Sequence, residues 1–360
     1  MLDIPVCRWG IVATGFISAW FVADLVVQRD DAKVHHIIQA IGSSSAQKGR
    51  DFAKKHCPHQ KPTIYSSYQE VYADPDVDCV YIGTPHSFHK QNCLDAIAAD
   101  KNILCEKPFT INAKEAKEVF GAAKEKGVYV AEAMWLRHRP LVTELRKTLF
   151  KEQAIGEISC LSAQYALPVD IASLPSTSRY RDLALGAGSL LDVGIYPLTW
   201  ALLSLDAAVP ENPEEPNIVA TQTHSLGIEV TTSAILHYPS TGRHANISST
   251  FTATPTTDFV CRIQGSKGYI DVTGKDASHP VAFTVFQETG PGQFDAKEHE
   301  HNHPSQGFTF EADNTALDIL AHRKESAIMP WRKTVRVMEI MDEIRKQGGT
   351  RYPQDENEQI

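Results

Sequence analysis

The sequence predicts an α/β protein with two domains: an N-terminal doubly wound parallel sheet, and a C-terminal α+β domain with a large open, mostly antiparallel sheet. Three observations support this fold class. The chain has 360 residues, more than one hydrophobic core usually supports. Up to about residue 135, short apolar runs alternate with helical stretches, as in βα units. From about residue 217, strand-like runs follow one another with short turns, which indicates antiparallel pairing.

The first domain is predicted from continuous apolar strands, which are typical of a parallel sheet covered on both faces. The predicted strands are 6–12, 36–42, 77–83, 103–105 and 128–131. The predicted helices between and after them are 16–28, 46–55, 86–99 and 113–126. Right-handed crossovers then give the doubly wound arrangement.

The pattern changes after about Pro140. A helix (141–151), a strand (158–167) and a second helix (189–203) are followed by strands 218–224, 231–238, 245–251, 259–264, 269–272 and 282–286, and by closing helices 309–323 and 334–347. We therefore predict a nucleotide-type domain over 1–136 and a second domain over 137–353, whose closing helices are free to pack back on the first. Residues 354–360 are expected to form a flexible tail.

Composition excludes several classes of protein. The formal net charge of −9 disfavours nucleic acid or an anionic membrane as a partner, because both require a basic face. We find no apolar run near the roughly 18 residues of a membrane span, and a folded strand at 6–12 in place of a signal peptide. Seven scattered cysteines without a Cys-x-x-Cys pair favour a reducing compartment. A cytoplasmic location is expected.

The turn after the first strand has the position of a dinucleotide-binding turn, with backbone N–H groups and a helix N-terminus facing a pyrophosphate. Gly15 is the point of closest backbone approach. Ala13 and Ser18 replace the glycines that the motif prefers, but both are small enough for a cofactor to approach. Ordinary turn chemistry at a strand end is the alternative. The predicted cofactor contacts here are Ala13, Thr14, Gly15, Phe16 and Ile17.

The end of the second strand indicates NADP. An NAD site places a carboxylate there to bind the ribose hydroxyls, whereas this chain has Ser43, Ser44 and Ser45, then Lys48 and Arg50, with no carboxylate before position 51. Hydroxyls and cations suit a 2′-phosphate. We predict contacts from Ser43, Ser44 and Lys48. The alternative is that the serines cap the next helix.

Two further strand ends face the same predicted crevice, because ligands bind beyond the carboxyl ends of parallel strands. One continues as Gly-Thr-Pro-His-Ser-Phe-His and the other as Cys-Glu-Lys-Pro. His86 and His89 are expected on the nicotinamide side of the cofactor, or else as caps of the helix that begins there. The predicted cofactor contacts of these segments are Thr84, Pro85, His86, His89, Glu106 and Lys107.

These motifs resemble those of the glucose–fructose oxidoreductase, inositol dehydrogenase and rhizopine-catabolism (Gfo/Idh/MocA) family. The Gly-x-x-Ala-x-Gly turn, Thr-Pro-x-x-x-His, Glu-Lys-Pro and the segment Gly186–Tyr196 occur in the family's order and spacing, over Val6 to Trp331. The Trp-x-Arg-x-x-Pro segment at 135–140 and the tyrosine at 196 are most similar to dimeric dihydrodiol dehydrogenases and NADP-dependent D-xylose 1-dehydrogenases.

The resemblance implies a Rossmann domain, hydride transfer between NAD(P) and a sugar or polyol, and a homodimer through the C-terminal open sheet. Lys107 matches the catalytic lysine of Glu-Lys-Pro, and Pro108 commonly follows a cis bond. Asp192 and Tyr196 match the family's Asp-x-x-x-His/Tyr pair. Many members have histidine where this chain has Tyr196, so the identity of the proton carrier stays open.

The chemistry of these residues supports the same site. Alcohol oxidation needs a hydride acceptor and a base for the hydroxyl proton. Ionising a free tyrosine at pH 7 costs roughly 4 kcal/mol, and an ammonium ~5 Å away returns about 3 kcal/mol. We predict Tyr196 as general acid/base, Lys107 as its electrostatic partner and Asp192, four residues away on the same helical face, as the orienting carboxylate. The roles of Lys107 and Tyr196 could be exchanged.

Substrate contacts are predicted at Trp135, Arg137 and Arg179, besides Asp192 and Tyr196. Trp135 would stack on the substrate ring, with interdomain packing as the alternative. The tract 298–303, Glu-His-Glu-His-Asn-His, has the composition of a metal site, but hydride transfer to nicotinamide needs no metal and we predict none.

Three functions remain open from the sequence. The first is an NADP-dependent sugar dehydrogenase that oxidises D-xylose at C1 to the lactone. The second is a trans-dihydrodiol dehydrogenase that produces a catechol. The third is a non-catalytic NADP-sensing regulator of the same fold, which the retained Glu-Lys-Pro, Asp192 and Tyr196 disfavour. The expected partner is a small sugar or diol.

Overall fold

The computed structural model describes residues 4–206, 214–256 and 259–355. The chain forms two compact units: unit 1 contains residues up to His138 together with His303–Val335, and unit 2 contains Arg139–Asn302 together with the residues from Arg336 onwards. Unit 1 holds a parallel sheet and unit 2 a large, mostly antiparallel one. The predicted fold class is confirmed.

The sheet of unit 1 has six parallel strands in the order β3-β2-β1-β4-β5-β6. The strands are β1 (Val6–Val12), β2 (His35–Gly42), β3 (Thr63–Tyr65), β4 (Cys79–Ile82), β5 (Asn102–Glu106) and β6 (Val130–Ala133). The helices are α1 (Phe16–Leu25), α2 (Ala46–His56), α3 (Tyr68–Ala73), α4 (His89–Ala98), α5 (Ala113–Lys126) and α8 (Phe308–Leu320). The strand order reverses between β1 and β4, which places the ligand crevice beyond their carboxyl ends.

The sheet of unit 2 has eight strands in the order β14-β13-β12-β11-β7-β10-β9-β8, and only the β10–β7 pair is parallel among the described strands. The strands are β7 (Ile158–Ala166), β8 (Asn217–Ser225), β9 (Ile228–His237), β10 (His244–Thr250), β11 (Cys261–Gly265), β12 (Gly268–Asp276), β13 (His279–Gly290) and β14 (Gln293–Glu300). The helices are α6 (Pro140–Arg146), α7 (Ile195–Leu205) and α9 (Trp331–Gly348), and α9 begins in unit 1.

Helix α7 is the core helix of unit 2. It packs against β7 and β10, and the Trp200 indole donates to the carbonyl of Ala277 at 2.8 Å. By length and composition the stretch Leu183–Leu205 would pass for a membrane span, so the expectation that no such run exists is wrong. All of its apolar window is buried inside the protein, as in the core helix of a soluble domain.

The end of the chain is anchored up to the last described residues. A 3₁₀ turn, Pro353–Asp355, follows α9, and Arg345 donates to Asp355 at 2.7 Å. Gln354 donates to the carbonyl of Ala184 at 3.1 Å. The rest of the predicted tail, 356–360, lies outside the described residues.

Candidate active site

The turn between β1 and α1 forms a tight loop with an open side. Ala13 takes φ of 76°, the left-handed conformation that the motif normally gives to glycine, and its N–H donates to the carbonyl of Gly42 at 3.2 Å. A Cβ on Gly15 would meet nothing nearer than the carbonyl of Gly83 at 4.0 Å. The space beside Gly15 is therefore open to a ligand at the N-terminus of α1.

Ser18 is accommodated by the neighbouring strand end. The side chain is fully buried, and a Cβ on Gly83 would lie 2.3 Å from its Oγ. The third glycine of the fingerprint normally allows close packing of helix on strand. Here Gly83, just after β4, provides that room.

A cleft of about 500 Å³ continues from this turn along the end of β2. Lys48 donates to the Ser44 hydroxyl at 3.1 Å, and the hydroxyls of Thr14 and Ser43 lie 3.1 Å apart. Ser45 caps α2 by accepting from the N–H of Lys48, so the helix-capping alternative holds for this serine. The residues that line the cleft are Thr14, Gly15, Ser43, Ser44, Lys48, Asp51, Phe52, Lys55, His56 and Tyr68.

The charges of this cleft fit a phosphate. Lys48 and Lys55 both line it, and the sequence analysis had not identified Lys55. Asp51 is the one carboxylate among the lining residues, and it accepts a hydrogen bond from Gln47 at 2.9 Å. Hydroxyl donors beside ammonium groups suit the 2′-phosphate of NADP better than a bare ribose diol.

His89 joins two strand ends. Its side chain is fully buried; Nδ1 lies 2.9 Å from the carbonyl oxygen of Pro108, and Nε2 lies 2.8 Å from that of Thr84. Burial lowers the pKa of His89, and the two carbonyls oppose this shift. The imidazole ties the loop after β4 to the loop after β5, and the cofactor contact predicted for His89 stays a prediction. The His86 ring lies 5.9 Å from it, and the contact predicted for His86 stays a prediction.

The Glu-Lys-Pro turn is shaped by its own carboxylate. Glu106 accepts from the Tyr81 hydroxyl at 2.6 Å and from the N–H of Lys107 at 3.1 Å. Glu106 is buried and these hydrogen bonds hold the turn, while the cofactor contact predicted for Glu106 stays a prediction. The Lys107–Pro108 bond is cis, as the resemblance implies, and Lys107 is half-buried.

Glu132 is a functional candidate that the sequence analysis missed. It lies fully buried in β6 and accepts from the N–H of Phe109 at 3.2 Å and from the Thr334 hydroxyl at 2.9 Å. Burial raises the pKa of Glu132 to about 7, against the opposing effect of these donors. The sequence signal for this residue was a single charge inside the apolar run Val-Ala-Glu-Ala. In the structure its carboxyl is a titrating group that hydrogen-bonds the backbone just after the Glu-Lys-Pro turn.

Trp135 packs inside unit 1. Its ring stacks on Phe308 of α8 at 4.5 Å with an angle of 5° between the planes, and only 5% of the side chain is exposed. The ring thus packs on a residue of the same unit, and the substrate stacking predicted for Trp135 stays a prediction. Arg137 is also buried, and the substrate contact predicted for it stays a prediction.

Asp192 and Tyr196 lie on a helical segment that is not regular. Asp192 belongs to a π-helical turn, Leu190–Gly194, and Tyr196 to the first turn of α7. The prediction of one regular helix over 189–203 is thus wrong at its start. Such π turns occur often at functional sites.

Arg179 holds the carboxylate of Asp192. The guanidinium donates through Nη1 at 3.2 Å and through Nη2 at 3.1 Å to Oδ1, and it lies over the Tyr180 ring at 4.2 Å. Asp192 and Tyr196 are both buried, with 6% and 5% exposed. Tyr165 of β7, which the sequence analysis did not single out, lies 5.8 Å from the Tyr196 ring.

The histidine tract is divided between the two units. His299 and His301 of unit 2 both contact the Glu144 carboxylate, at 2.8 Å and 2.7 Å, while His303 of unit 1 contacts Asp31 at 3.3 Å. Over residues 4–206, 214–256 and 259–355 there is no group of three or more His, Cys, Asp or Glu side chains that could hold a metal ion.

Two segments of the chain match models of one protein family. Residues 7–134 match the Gfo/Idh/MocA oxidoreductase family with its NAD-binding Rossmann fold, and residues 144–271 match the C-terminal domain of the same family. The chain belongs to the Gfo/Idh/MocA oxidoreductase family. The resemblance noted from the sequence motifs is confirmed.

Relatives of this Gfo/Idh/MocA protein cover nearly its whole length. The D-xylose 1-dehydrogenase (NADP(+)) of Hypocrea jecorina is 34% identical, over 96% of this chain and 93% of that protein. The trans-1,2-dihydrobenzene-1,2-diol dehydrogenase of Xenopus laevis is 32% identical, over 96% of this chain and 99% of that protein.

Solved structures share the fold of this family member. A 3-ketoreductase from Actinomadura kijaniata, crystallised with NADP, has a TM-score of 0.78 at 21% identity and covers 96% of this chain and 98% of its own. The aldose–aldose oxidoreductase from Caulobacter crescentus has a TM-score of 0.78 at 20% identity, over 95% and 97% of the two chains.

Proposed function

We propose that the protein is an NADP-dependent dehydrogenase that oxidises an aldopyranose at C1, with D-xylose converted to D-xylonolactone. The observation that carries the proposal is the hydroxyl and ammonium cleft at the end of β2, in a chain that retains Lys107, Asp192 and Tyr196. The Hypocrea jecorina relative, named as an NADP-dependent D-xylose 1-dehydrogenase, supports the same substrate and cofactor.

Residues of unit 1 would hold the cofactor. The open backbone at Gly15 and the N-terminus of α1 suit the pyrophosphate, and Ser43, Ser44 and Lys48 suit the 2′-phosphate. The nicotinamide, when bound, accepts the hydride from the substrate carbon. The cis bond before Pro108 and the hydrogen bonds of Glu106 set the backbone from which Lys107 projects.

Proton transfer would be the task of Tyr196. We assign the C1 hydroxyl proton to its phenol, and to Lys107 the positive charge that favours the ionised phenol and holds the substrate oxygen. Asp192 orients the site, and its link to Arg179 keeps the carboxylate in place. Exchanged roles for Lys107 and Tyr196 would give the same overall reaction.

A second candidate is the oxidation of an aromatic trans-dihydrodiol. Tyr165, Leu167, Val169, Tyr180 and Leu183 are partly buried and pack on the apolar cluster that includes Val193, next to Asp192. An apolar, aromatic surface suits an unsaturated ring better than it suits a sugar, and the Xenopus laevis relative is named for this activity.

The deciding experiment follows NADPH formation at 340 nm with D-xylose, other aldoses and trans-benzene dihydrodiol, each with NADP and with NAD. We expect turnover with D-xylose and NADP. Faster turnover with the diol would favour the second candidate, and tighter binding of NAD would overturn the cofactor assignment. NADPH binding without any turnover would favour a sensor.

We also propose a cytoplasmic homodimer that pairs through the open face of the eight-stranded sheet. This face carries a groove of about 420 Å³ with exposed Val219 and Ile235. In a monomer these apolar side chains would stay in contact with water, whereas a dimer interface would bury them. Light scattering should give twice the mass of one chain. A charge introduced by Ile235→Asp should shift the protein to monomer, and a wild-type monomer would overturn the proposal.

A further inference from the structure

The glycine segment, residues 186–189, leads into the π turn that carries Asp192. Gly188 has φ of 153°, in the range that residues with a Cβ rarely adopt. A Cβ there would lie 2.8 Å from the hydroxyl of Tyr352 and 3.1 Å from Oε2 of Glu229. Two side chains from distant parts of the unit 2 sequence therefore close directly on this backbone.

Glu229 makes more hydrogen bonds than Tyr352 to the glycine segment and the residue that follows it. It is fully buried in β9; Oε1 accepts from the Ser189 hydroxyl at 2.6 Å, and Oε2 accepts from the N–H of Leu190 at 2.8 Å. A third donor, the hydroxyl of Thr232, comes from the same strand at 2.7 Å. A carboxylate at the first N–H of a helical segment satisfies a group that the helix itself leaves open and lies at the positive end of the helix dipole.

Tyr352 holds the other side of the segment. Its hydroxyl donates to the carbonyl of Ala187 at 3.1 Å, and the ring is almost fully buried, with the Arg345 guanidinium 5.0 Å above it. The backbone is thus hydrogen-bonded to buried side chains before and after Gly188. The carbonyl of Ala187 accepts from Tyr352, and the N–H of Leu190 donates to Glu229.

We propose that Glu229 is a positioning residue for proton transfer: it fixes the start of the helical segment and so directs Asp192 and Tyr196. This inference rests on the proposed dehydrogenase function. Because reacting groups must be held within a fraction of an ångström, a displacement of roughly 1 Å at Tyr196 would cost about 100-fold in rate. Glu229 itself touches no reacting atom.

The test compares three variants. Glu229→Leu removes both acceptor oxygens, so the N–H of Leu190 and the hydroxyl of Ser189 both lose this partner. Ser189→Ala removes one of these bonds and keeps the other. Thr232→Val is the matched control, because it touches the same carboxylate from β9 and leaves the helical segment untouched.

For Glu229→Leu we expect kcat to fall about 10- to 100-fold, with the KM for NADP and the Kd for NADPH within about twofold of wild type, because the cofactor residues lie in unit 1. Amide exchange in the peptide 186–196 should rise locally. Ser189→Ala should show a smaller fall, and Thr232→Val should match wild type in both measurements.

Three results would overturn the inference: a folded Glu229→Leu protein with wild-type kcat, faster exchange throughout unit 2 in place of a local change, or equal effects of Thr232→Val and Glu229→Leu. The exchange measurement separates this inference from the proposed function. If wild type turns over neither sugars nor diols, the dehydrogenase proposal fails. A local rise in exchange at 186–196 would still show that Glu229 holds the segment, and its absence would refute that as well.

Discussion

Replacing Glu132 by glutamine should change how the stability of unit 1 depends on pH. The carboxyl is fully buried in β6, and its pKa rises from an ordinary 4.5 to about 7 in the folded state. Glutamine keeps both contacts, since the amide oxygen can accept from the N–H of Phe109 and the amide nitrogen can donate to the Thr334 hydroxyl. The substitution therefore removes the titration with little other change.

The direction in which the free energy of unfolding changes with pH follows from how many protons each state binds. Below pH 4.5 the carboxyl of Glu132 is protonated in both states, and its full contribution to stability is present. Between pH 4.5 and about 7 the unfolded state releases the proton and the folded state keeps it, so raising the pH favours unfolding. At about 1.4 kcal/mol per pH unit, the wild type loses about 3 kcal/mol across this window. Glu132→Gln should not lose it.

Tryptophan fluorescence in urea titrations measures this difference well, because four of the five tryptophans, at 9, 20, 135 and 331, lie in unit 1. The free energy of unfolding of Glu132→Gln, minus that of wild type, should rise by about 3 kcal/mol between pH 4.5 and 7.5. Glu70→Gln is the control. Hydrogen bonds from Ser67 lower the pKa of Glu70 below 4.5, so its difference curve should stay flat between pH 4.5 and 7.5 and slope the other way only below pH 4.5. Parallel curves for wild type and Glu132→Gln would refute the reasoning.

Four further variants have expected outcomes. Lys107→Ala should abolish turnover at 340 nm and Tyr196→Phe should lower kcat about 100-fold; a Tyr196→Phe enzyme that retains most of its kcat would move the proton to another group. Lys48→Ala should weaken NADP binding about tenfold, through one lost charge-assisted bond, and leave NAD binding unchanged in a fluorescence titration; equal losses for both cofactors would contradict a 2′-phosphate site. Ala13→Gly should raise the free energy of unfolding by up to about 1 kcal/mol, because alanine is strained at φ of 76°, and a loss of stability in urea would contradict that strain.

Elements with strong local signals could be predicted from the sequence. Strand β1 and helix α5 have the predicted ends, and α5 is delimited by Asn112, which caps its N-terminus, and by Gly127 with φ of 72°. Strand β14 could not be predicted, because it is an exposed edge strand without apolar alternation, held by main-chain pairing with β13. The π turn at 190–194 is likewise invisible, since nothing in its composition distinguishes it from a helix.

The roles of the buried carboxylates near the site could not be predicted from the sequence. Glu132 and Glu229 each look like a single charge near apolar residues, and their partners Thr334 and Ser189 lie far away in the sequence. Neither pairing has a local pattern, because the contacts exist only after the sheet of each unit has formed. Motif residues such as Lys107 could be found from sequence, whereas the groups that hold them could not.

The cofactor turn shows why a motif should be judged by the physical requirement behind it. The fingerprint needs a left-handed residue, an open approach to the phosphate and close packing of helix on strand. Ala13 meets the first requirement at a cost in strain, and Gly15 meets the second. The third is met by Gly83, just after strand β4, whose missing Cβ makes room for Ser18. A change at Gly83 should therefore damage cofactor binding: Gly83→Ala should weaken NADP binding in a fluorescence titration. Adding Ser18→Gly should restore binding only in part, because it removes the contact at 2.3 Å and leaves those with Tyr81 at 3.1 Å and Ile17 at 3.3 Å. Unchanged NADP binding by Gly83→Ala would contradict this reading of the turn.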